Sequence, residues 1–396
     1  MKDAAASAIY GARAANGVIV VKTRRGMPGK INISYNGYVG IQQPTYLPDF
    51  VDAAGYMEMV NSANQNIGGD AVYSQSDIEN TRNHVDPYKY PDNSWSDFLF
   101  KNGMVQSHSV GVSGGSNLAR FALTVNYLNN EGLIDKANAD RLNIRANTTV
   151  NLLDNLSVDM DFNSYRTKRT EPMYRDGAYT SSIIDWMYAT PPNTVARYPL
   201  KEGSDIIYYG NRPEQRNPAA MMDQGGKYQL LSDNININIS PRWEIIPHLI
   251  ARARYSYQVT SSTNTRKRKA YNFLIYSSNS LLETWDAIDK SGQNRSSYYY
   301  LGGTLEYTFE RDKHRLFAIG GYNQELTNKD DWDQWSMVSL FAKANYTFNS
   351  RYLLEATVRR DGSSRFGPGH KFGVFPSVGG GWNVHEENSW NQRENF

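Results

Sequence analysis

The side chains that most often carry out catalysis or hold metals are few in this sequence, and their spacing matches no site. The six histidines stand at positions 84, 108, 248, 314, 370 and 385, with no pair at metal-ligand spacing and no HExxH motif. The absence of cysteine excludes thiolate metal sites and disulfides. Residues 111–116 are rich in glycine but lack the lysine and the following helix of a phosphate-binding loop. The sequence predicts a hairpin turn there, and no catalytic residue, metal or cofactor.

Asp159 and Asp161 are the one pair of carboxylates with a spacing that suggests glycoside hydrolysis. Residues two apart in a strand point to the same side, so the two side chains would lie together. The other side of the same strand carries Val158, Met160 and Phe162, which makes it the apolar side. We therefore expect both aspartates to face the water-filled lumen of a barrel formed by the strands. On this interpretation the protein is not an enzyme.

Three groups in predicted loops have side chains suited to ligand contact, and each also has an ordinary structural explanation. The basic run could contact phosphates of surface lipopolysaccharide or be a solvated charge cluster; it comprises Arg266, Lys267, Arg268 and Lys269. The acidic and indole run could bind calcium or sugars or pack the loop; it comprises Asp330, Asp331, Trp332, Asp333, Gln334 and Trp335. The same choice holds for Trp186, Tyr188, Tyr208 and Tyr209. Substrate-binding residues stay unassigned.

Strands with a two-residue period must position these groups. In the first of them Ile31, Ile33, Tyr35, Val39 and Ile41 alternate with polar residues and glycine. About twelve such segments follow one another, at 31–42, 108–112, 121–127, 142–152, 156–162, 235–239, 249–259, 299–309, near 317, 340–348, 352–358 and 372–384. Short turns follow the even-numbered strands and mostly longer loops the odd-numbered ones. This sorting is typical of an outer-membrane barrel with one side in the periplasm and the other outside.

The longest connections have structure of their own. The first contains a short helix over 52–63 with an aspartate cap and an aromatic cluster at Trp95, Phe98, Leu99 and Phe100. The second runs from about 169 to 227, and a third precedes the strand at 299–309. Connections of this length are unusual in compact domains unless they are functional. Residues 361–364 (DGSS) predict a turn between two late strands.

The composition agrees with a strand protein. Of 396 residues, 28 are tyrosine, 31 are glycine and 21% are charged. The mean hydropathy is −0.63, and no apolar run in the sequence is long enough to form a membrane helix. A net charge of +2 predicts no nucleic-acid partner. Aromatic residues beside the short turns would form a girdle at one membrane interface; they are Tyr307, Phe309, Tyr346, Phe348 and Tyr352. An ordinary soluble β-sandwich is the alternative.

Residues 2–23, KDAAASAIYGARAANGVIVVKT, are unlike the rest and resemble the end of a transporter plug domain. Specifically, they resemble the SusC/RagA family of TonB-linked outer-membrane proteins of Bacteroidota, whose plug ends in a similar stretch. Further stretches agree with the family in order, at 106–115, 341–348, 359–367, 375–377 and 381–382. The resemblance covers nearly the whole chain.

The resemblance implies an all-β fold, a transmembrane antiparallel β-barrel. Residues 1–29 would be the end of the plug domain, and residues 30–396 the N-terminal half, about twelve strands, of a 22-strand barrel. It also implies import of oligosaccharides or peptides across the cell outer membrane, among its lipids, with a SusD-like surface lipoprotein and the TonB complex as partners. The first residues, 1–7, contain no apolar stretch of the kind found in a secretory signal peptide. We therefore expect the chain to be a fragment that does not transport alone. The alternatives are a soluble secreted β-rich carbohydrate-binding protein or hydrolase, or a truncated gene product without function.

Overall fold

Within the described residues, twelve antiparallel strands form one continuous sheet, which we call the main sheet. The computed structural model describes residues 23, 25–174, 179–210, 217–329 and 333–387. Almost all of the predicted plug segment therefore lies outside the described residues. The strands are β1 Gly29–Gln42, β2 Gly103–Gly115, β3 Ala119–Glu131, β4 Asn138–Leu153, β5 Leu156–Pro172, β6 Lys227–Ile246, β7 Leu249–Arg268, β8 Tyr271–Leu274, β9 Leu281–Trp285, β10 Ile288–Arg311, β11 His314–Asn328, β12 Gln334–Phe348, β13 Tyr352–Ser363 and β14 Phe372–Trp382.

Strands pair with their neighbours in chain order. The order in the main sheet is β1 to β7 and then β10 to β14, while β8 and β9 form a separate hairpin. Within the described residues β1 and β14 are the two edges of the main sheet. The prediction of about twelve antiparallel strands is confirmed.

Five short helices lie in the described parts of the connections. They are α1 Ala53–Asn66, α2 Gln75–Arg82, α3 Trp95–Leu99, α4 Thr180–Ala189 and α5 Pro218–Gln224, and a 3-10 turn covers Val384–Glu386. The predicted aspartate cap is confirmed, because the Asp52 carboxylate accepts a hydrogen bond from the Gly55 amide at 2.7 Å. In the part of the chain that the structure describes, no helix has the length and apolar character needed to span a membrane.

The connections are sorted by length between the two ends of the main sheet. Five tight turns lie at one end, after β2, β4, β6, β10 and β12. The opposite end carries the connections 43–102, 173–226 and 269–287, and also the shorter ones at 132–137, 329–333 and 364–371. The predicted sorting is confirmed, and the predicted aromatic girdle residues do lie beside the tight turns.

Two predicted boundaries are wrong. The ladder between β7 and β10 continues from Tyr257 opposite Tyr299 to Arg268 opposite Ile288, so much of the predicted third loop is strand. Both faces of this extension are polar, which hides it from a search for alternating hydrophobicity, yet its backbone groups still need partners. In β13, Asp361 and Gly362 pair with Gly373 and Phe372, so the predicted turn at 361–364 begins only after them.

The main sheet has one apolar and one polar face. Its apolar side chains are exposed and several of its polar side chains are buried, which we call inverted burial. The apolar face carries exposed side chains such as Ile33, Ile239 and Leu301, which are 72%, 40% and 47% exposed. The buried polar residues of the sheet include Asn147, Thr149, Asn234, Ser339, Thr357, Arg359 and Asp361. Apart from Pro172 at the end of β5, no aliphatic or aromatic side chain is buried in any described strand of the main sheet. A sheet in water would show the opposite arrangement.

Candidate functional site

The buried apolar side chains lie instead in what we call the loop assembly, the described residues of connections 43–102, 132–137, 173–226 and 269–287. Its core joins α3, α4, α5 and the β8–β9 hairpin; the buried members are Trp95, Leu99, Ile134, Tyr174, Ile183, Met187, Tyr209, Ala219, Ala220, Met221, Met222, Phe273 and Trp285. A smaller cluster packs α1 on α2 through Ala54, Met57 and Ile78. The long connections are therefore a packed structure.

Asn217 ties the loop assembly together at the start of α5. Its side-chain amide donates to the carbonyls of Val195 at 2.9 Å and Gly210 at 3.0 Å, and its oxygen accepts from the Ala219 amide at 2.9 Å. The residue is buried, so each of these bonds replaces one to water. One side chain thus caps α5 and holds two irregular segments beside it.

Tyr209, one of the candidate ligand-contact residues, serves packing. Its hydroxyl donates to the Asp223 carboxylate at 2.9 Å and accepts from the Gln224 amide at 3.0 Å. Arg197 forms a two-point ion pair with Asp223, at 2.6 and 2.8 Å. Burial raises the pKa of the Tyr209 phenol above its ordinary value, and the nearby Asp223 carboxylate adds to this.

Tyr208 is also packed. Lys201 lies over the rings of Tyr208 and Tyr276, with its Nζ 4.7 and 4.9 Å from their centres, and the Tyr208 hydroxyl donates to Asn279 at 2.9 Å. Tyr276 in turn stacks on Tyr198 with ring centres 4.4 Å apart. Trp186 packs against the main core of the loop assembly. For these residues the structural explanation is sufficient.

Tyr188 differs, because it lines an open cleft. The cleft has a volume of about 750 Å³ and lies between residues 47–52, 92–97 and 187–192. Tyr188 and Phe50 are 44% and 53% exposed, and their ring centres are 5.6 Å apart. Buried Trp95 closes one wall, where its indole nitrogen donates to the Pro191 carbonyl at 3.1 Å.

Carboxylates are the charged groups of this cleft. Among the described residues, its lining includes Asp49, Asp52, Asp92 and Asp97 but no lysine or arginine. Two of them serve α1, since Asp52 caps it and Asp92 accepts from the Ala53 amide at 2.9 Å. Exposed rings can stack on a sugar or an apolar side chain, and carboxylates accept bonds from hydroxyl or amine groups. Phe50, Asp49 and Asp97 could not be recognised from the sequence, because three segments that are distant in the chain build the cleft.

The residues of the basic run at 266–269 that belong to β7 point alternately to opposite faces of the main sheet. Arg266 and Lys267 belong to β7, so the prediction of an outer loop for the basic run is wrong. Neighbouring residues in a strand point to opposite sides. Arg268 donates to the Tyr174 and Asp286 carbonyls in the loop assembly, while Lys267 and Lys269 are exposed.

Of the acidic and indole run, residues 330–332 lie outside the described residues. The Asp333 carboxylate lies 3.7 Å from Lys329 and 3.9 Å from Arg365, whose guanidinium covers the Trp335 ring at 4.8 Å. These contacts favour loop packing for the described part of the run. Among all described residues, no group of three or more His, Cys, Asp or Glu side chains is arranged to hold a metal ion.

Asp159 and Asp161 lie on the polar face and hold the N-terminal segment. Arg25 forms ion pairs with Asp159 at 3.2 Å and Asp161 at 3.1 Å. Gly26 lies so close to β3 that a Cβ atom there would be 2.2 Å from the Phe121 carbonyl oxygen. The two carboxylates are therefore engaged with a cation of the same chain, as attachment points for the segment that enters β1.

Comparisons with known proteins agree with this architecture. No family model matches the sequence. TonB-dependent receptor P26 of Formosa agariphila is 24% identical over 449 residues, covering 100% of this chain and 41% of the relative. TonB-dependent receptor SusC of Bacteroides thetaiotaomicron is 23% identical over 440 residues, covering 98% and 40%. The chain thus spans about two fifths of the length of these curated relatives.

Solved structures show the same fold. The RagAB peptide importer in its closed-closed state superposes with a TM-score of 0.74 at 20% identity, covering 98% of this chain and 48% of the importer chain. In the open-open state the TM-score is 0.72 with the same identity and coverage. The main sheet therefore has the fold of part of a transporter barrel, and the soluble sandwich is excluded as its fold. The chain is thus similar to TonB-dependent receptors, SusC among them, over about two fifths of their length, and it shares the fold of the RagAB importer chain.

Proposed function

We propose that this chain forms part of the wall and outer loops of a TonB-dependent importer in the outer membrane. The inverted burial of the main sheet carries the proposal. A sheet that exposes Ile33, Ile239 and Leu301 while burying Asn147 and Arg359 suits lipid on one face and a polar interior on the other. The resemblance to curated receptors agrees with this role, which is not enzymatic.

The polar face would be the lumen side of the barrel. Thr23, Arg25 and Gly26 lie against it through contacts with Asn147, Asp159, Asp161 and the Phe121 backbone. This placement supports the division of the chain into the end of a plug, residues 1–29, and a barrel part, residues 30–396. The plug would occupy the lumen, and the chain would enter the wall at β1.

The imported ligand would be an oligosaccharide or a peptide, and the cleft beside Tyr188 would contact it. A SusD-like lipoprotein at the outer surface and the TonB complex on the periplasmic side would be the partners. RagAB is named as a peptide importer, and the acidic lining of the cleft is compatible with basic peptides as well as with sugar hydroxyls.

Lipid contact of the apolar face is tested with single cysteines, which the sequence otherwise lacks. A fluorophore is attached to Ile239→Cys and Leu301→Cys, and as controls to nearby polar-face residues in Ser240→Cys and Thr304→Cys. In vesicles with nitroxide-labelled acyl chains, we expect strong quenching for the first pair and little for the second. Equal quenching of both pairs would exclude the membrane orientation.

The ligand is tested with variants of the cleft in the complete importer. Tyr188→Ala and Phe50→Ala should weaken uptake, whereas Tyr46→Ala, the control, removes a more exposed ring that does not line the cleft. Uptake is measured with labelled basic, neutral and acidic peptides and with neutral oligosaccharides. If the Asp49→Asn/Asp97→Asn variant selectively loses uptake of basic peptides, the imported ligand is a peptide. If oligosaccharide uptake falls, and only in the ring variants, the imported ligand is a sugar. Unchanged uptake in all cleft variants would reject the cleft.

A further inference from the structure

Five basic residues lie on the apolar face of the main sheet, past its apolar part and toward the loop assembly. They are Arg166, Lys168, Lys227, Lys267 and Arg295, and we call them the basic rim. Residues directly paired between antiparallel strands point to the same side of the sheet. Phe162 pairs with Ile237, and four residues further along β5 Arg166 pairs with Asp233 on the same side. Ser261 pairs with Asp233 and with Arg295, so β10 contributes to the same face.

The rim carries more positive than negative charge. On β5, β6, β7 and β10 this part of the face has only two acidic residues, Asp233 and Asp289. Asp233 is bonded to Arg166 at 2.6 Å, and Asp289 lies 3.8 Å from Lys267. On the flanking strand β4, Asp140 stands opposite Lys168 and accepts a bond from Asn129 at 2.7 Å. All five basic side chains are on exposed residues.

The pairing of two lysines gives the rim a specific point for an anion. Lys227 stands directly opposite Lys267, and like charges at such positions repel each other. The single carboxylate beside them, Asp289, is itself 78% exposed. A group with more negative charge than one carboxylate would relieve the repulsion between the two ammonium groups.

Neutral hydrogen-bonding side chains fill the space between the basic residues. On the same face the rows contain Gln229, Ser261, Thr263, Thr265, Ser291 and Gln293. Hydroxyl and amide groups suit the hydroxyls of a saccharide, and lysine and arginine suit phosphate. Below them the exposed side chains of Ile235 and Ile239 begin the apolar part of the face, which suits acyl chains.

We propose that the basic rim binds a phosphorylated glycolipid of the outer leaflet, with its phosphates on the lysine and arginine side chains. The sugar groups would lie on the hydroxyl rows and the acyl chains along the apolar face. The proposal rests on the membrane orientation proposed above. Of the basic run at 266–269, Lys267 belongs to the basic rim. The other four rim residues lie on β5, β6 and β10.

The test measures binding of bisphosphorylated lipid A, in mixed micelles, to the purified protein. The rim variant combines Lys168→Gln, Lys227→Gln, Lys267→Gln and Arg295→Gln. The control variant removes the same charge elsewhere, through Lys30→Gln, Lys89→Gln, Lys313→Gln and Lys371→Gln. We expect about a tenfold or larger rise of Kd for the rim variant, a small change for the control, and weak binding of dephosphorylated lipid A to the unchanged protein.

Three outcomes would overturn the proposal. They are equal losses in the rim and control variants, equal affinity for the phosphorylated and dephosphorylated lipids, and unchanged affinity in the rim variant. The nitroxide quenching of labelled Ile239→Cys is measured in parallel, in vesicles, for both the unchanged protein and the rim variant. If quenching shows membrane insertion and the rim variant still binds normally, only the rim proposal fails, whereas absent quenching rejects the membrane orientation itself.

Discussion

The main sheet and the loop assembly treat apolar side chains in opposite ways. In the loop assembly Ile183 and Met221 are 0% exposed, as in any protein that folds in water. In the main sheet Ile33 and Leu301 are 72% and 47% exposed, and Arg359 is 4% exposed. One chain thus contains one part built for water and one part suited to lipid. The exposure of individual side chains on each face of a strand therefore indicates whether that face suits water or lipid. The mean hydropathy does not show this, because it averages the two faces.

Shortening a core side chain should destabilise the loop assembly and spare the main sheet. Met221→Ala leaves a cavity among fully buried neighbours, and we expect a loss of about 2–5 kcal/mol in the stability of that region. Hydrogen exchange followed by mass spectrometry would show faster exchange at residues 180–210 and 217–224. Met59→Ala, at a residue 60% exposed, is the control and should leave exchange unchanged. Equal acceleration in β6 and β7 would mean that the two parts unfold as one.

A charge on the apolar face should destabilise the main sheet much more than the same charge on the polar face. Ile239→Arg places a guanidinium on the face proposed to meet lipid, at a cost of about 2–4 kcal/mol if it lies near the bilayer midplane. Ser240→Arg places it beside Asp159, its partner on β5, where a cation is tolerated. Denaturant titration in vesicles measures both variants. Equal costs would contradict a lipid-facing side for Ile239.

Much of the main sheet could be predicted from alternation alone. Ile235, Ile237 and Ile239 specify both the strand and its face, because every second side chain meets the apolar surroundings. The extension of β7 past Val259 could not be predicted in this way, since serine, threonine, lysine and arginine occupy both faces there. Where both sides are polar, only the pairing of backbone groups shows the strand.

The loop assembly could be predicted only in its local features. The Asp52 cap follows from residue type and position, because a cap acts within one helical turn. The cleft depends on contacts of Phe50 with Tyr188 and of Trp95 with Pro191, which lie 138 and 96 residues apart in the chain. Such contacts have no periodicity in the sequence. For the same reason the attachment of Arg25 to Asp159 and Asp161 could not be foreseen, although the polar character of their face could.

Removing the Arg25 cation should loosen the N-terminal segment with a modest loss of stability. Its ion pairs are about one third exposed, so solvent screens them, and we expect a coupling of roughly 0.5–1 kcal/mol between Arg25→Gln and Asp161→Asn in a double-mutant cycle. Arg145→Gln removes the same charge from the same face and is the control. High salt should reduce the coupling. A coupling that is absent at low salt would mean that Gly26 and its backbone neighbours hold the segment unaided.

The smallest effect we expect is a dependence of the loop assembly on alkaline pH that the main sheet does not share. Burial raises the pKa of Tyr209 above its unfolded value of about 10, so the folded state holds that proton more tightly. The resulting stabilisation is complete below about pH 10 and is lost as pH rises through the folded pKa, because unfolding then releases the proton. Proteolysis within residues 180–210 and 217–224 should therefore increase between about pH 10 and 11 in the unchanged protein. Tyr209→Phe keeps the ring and cannot ionise, so it should flatten this rise, whereas Tyr46→Phe, at a residue 80% exposed, should not. If the rise persists in Tyr209→Phe, another group controls it, and the buried phenol is not what makes this region sensitive to alkali.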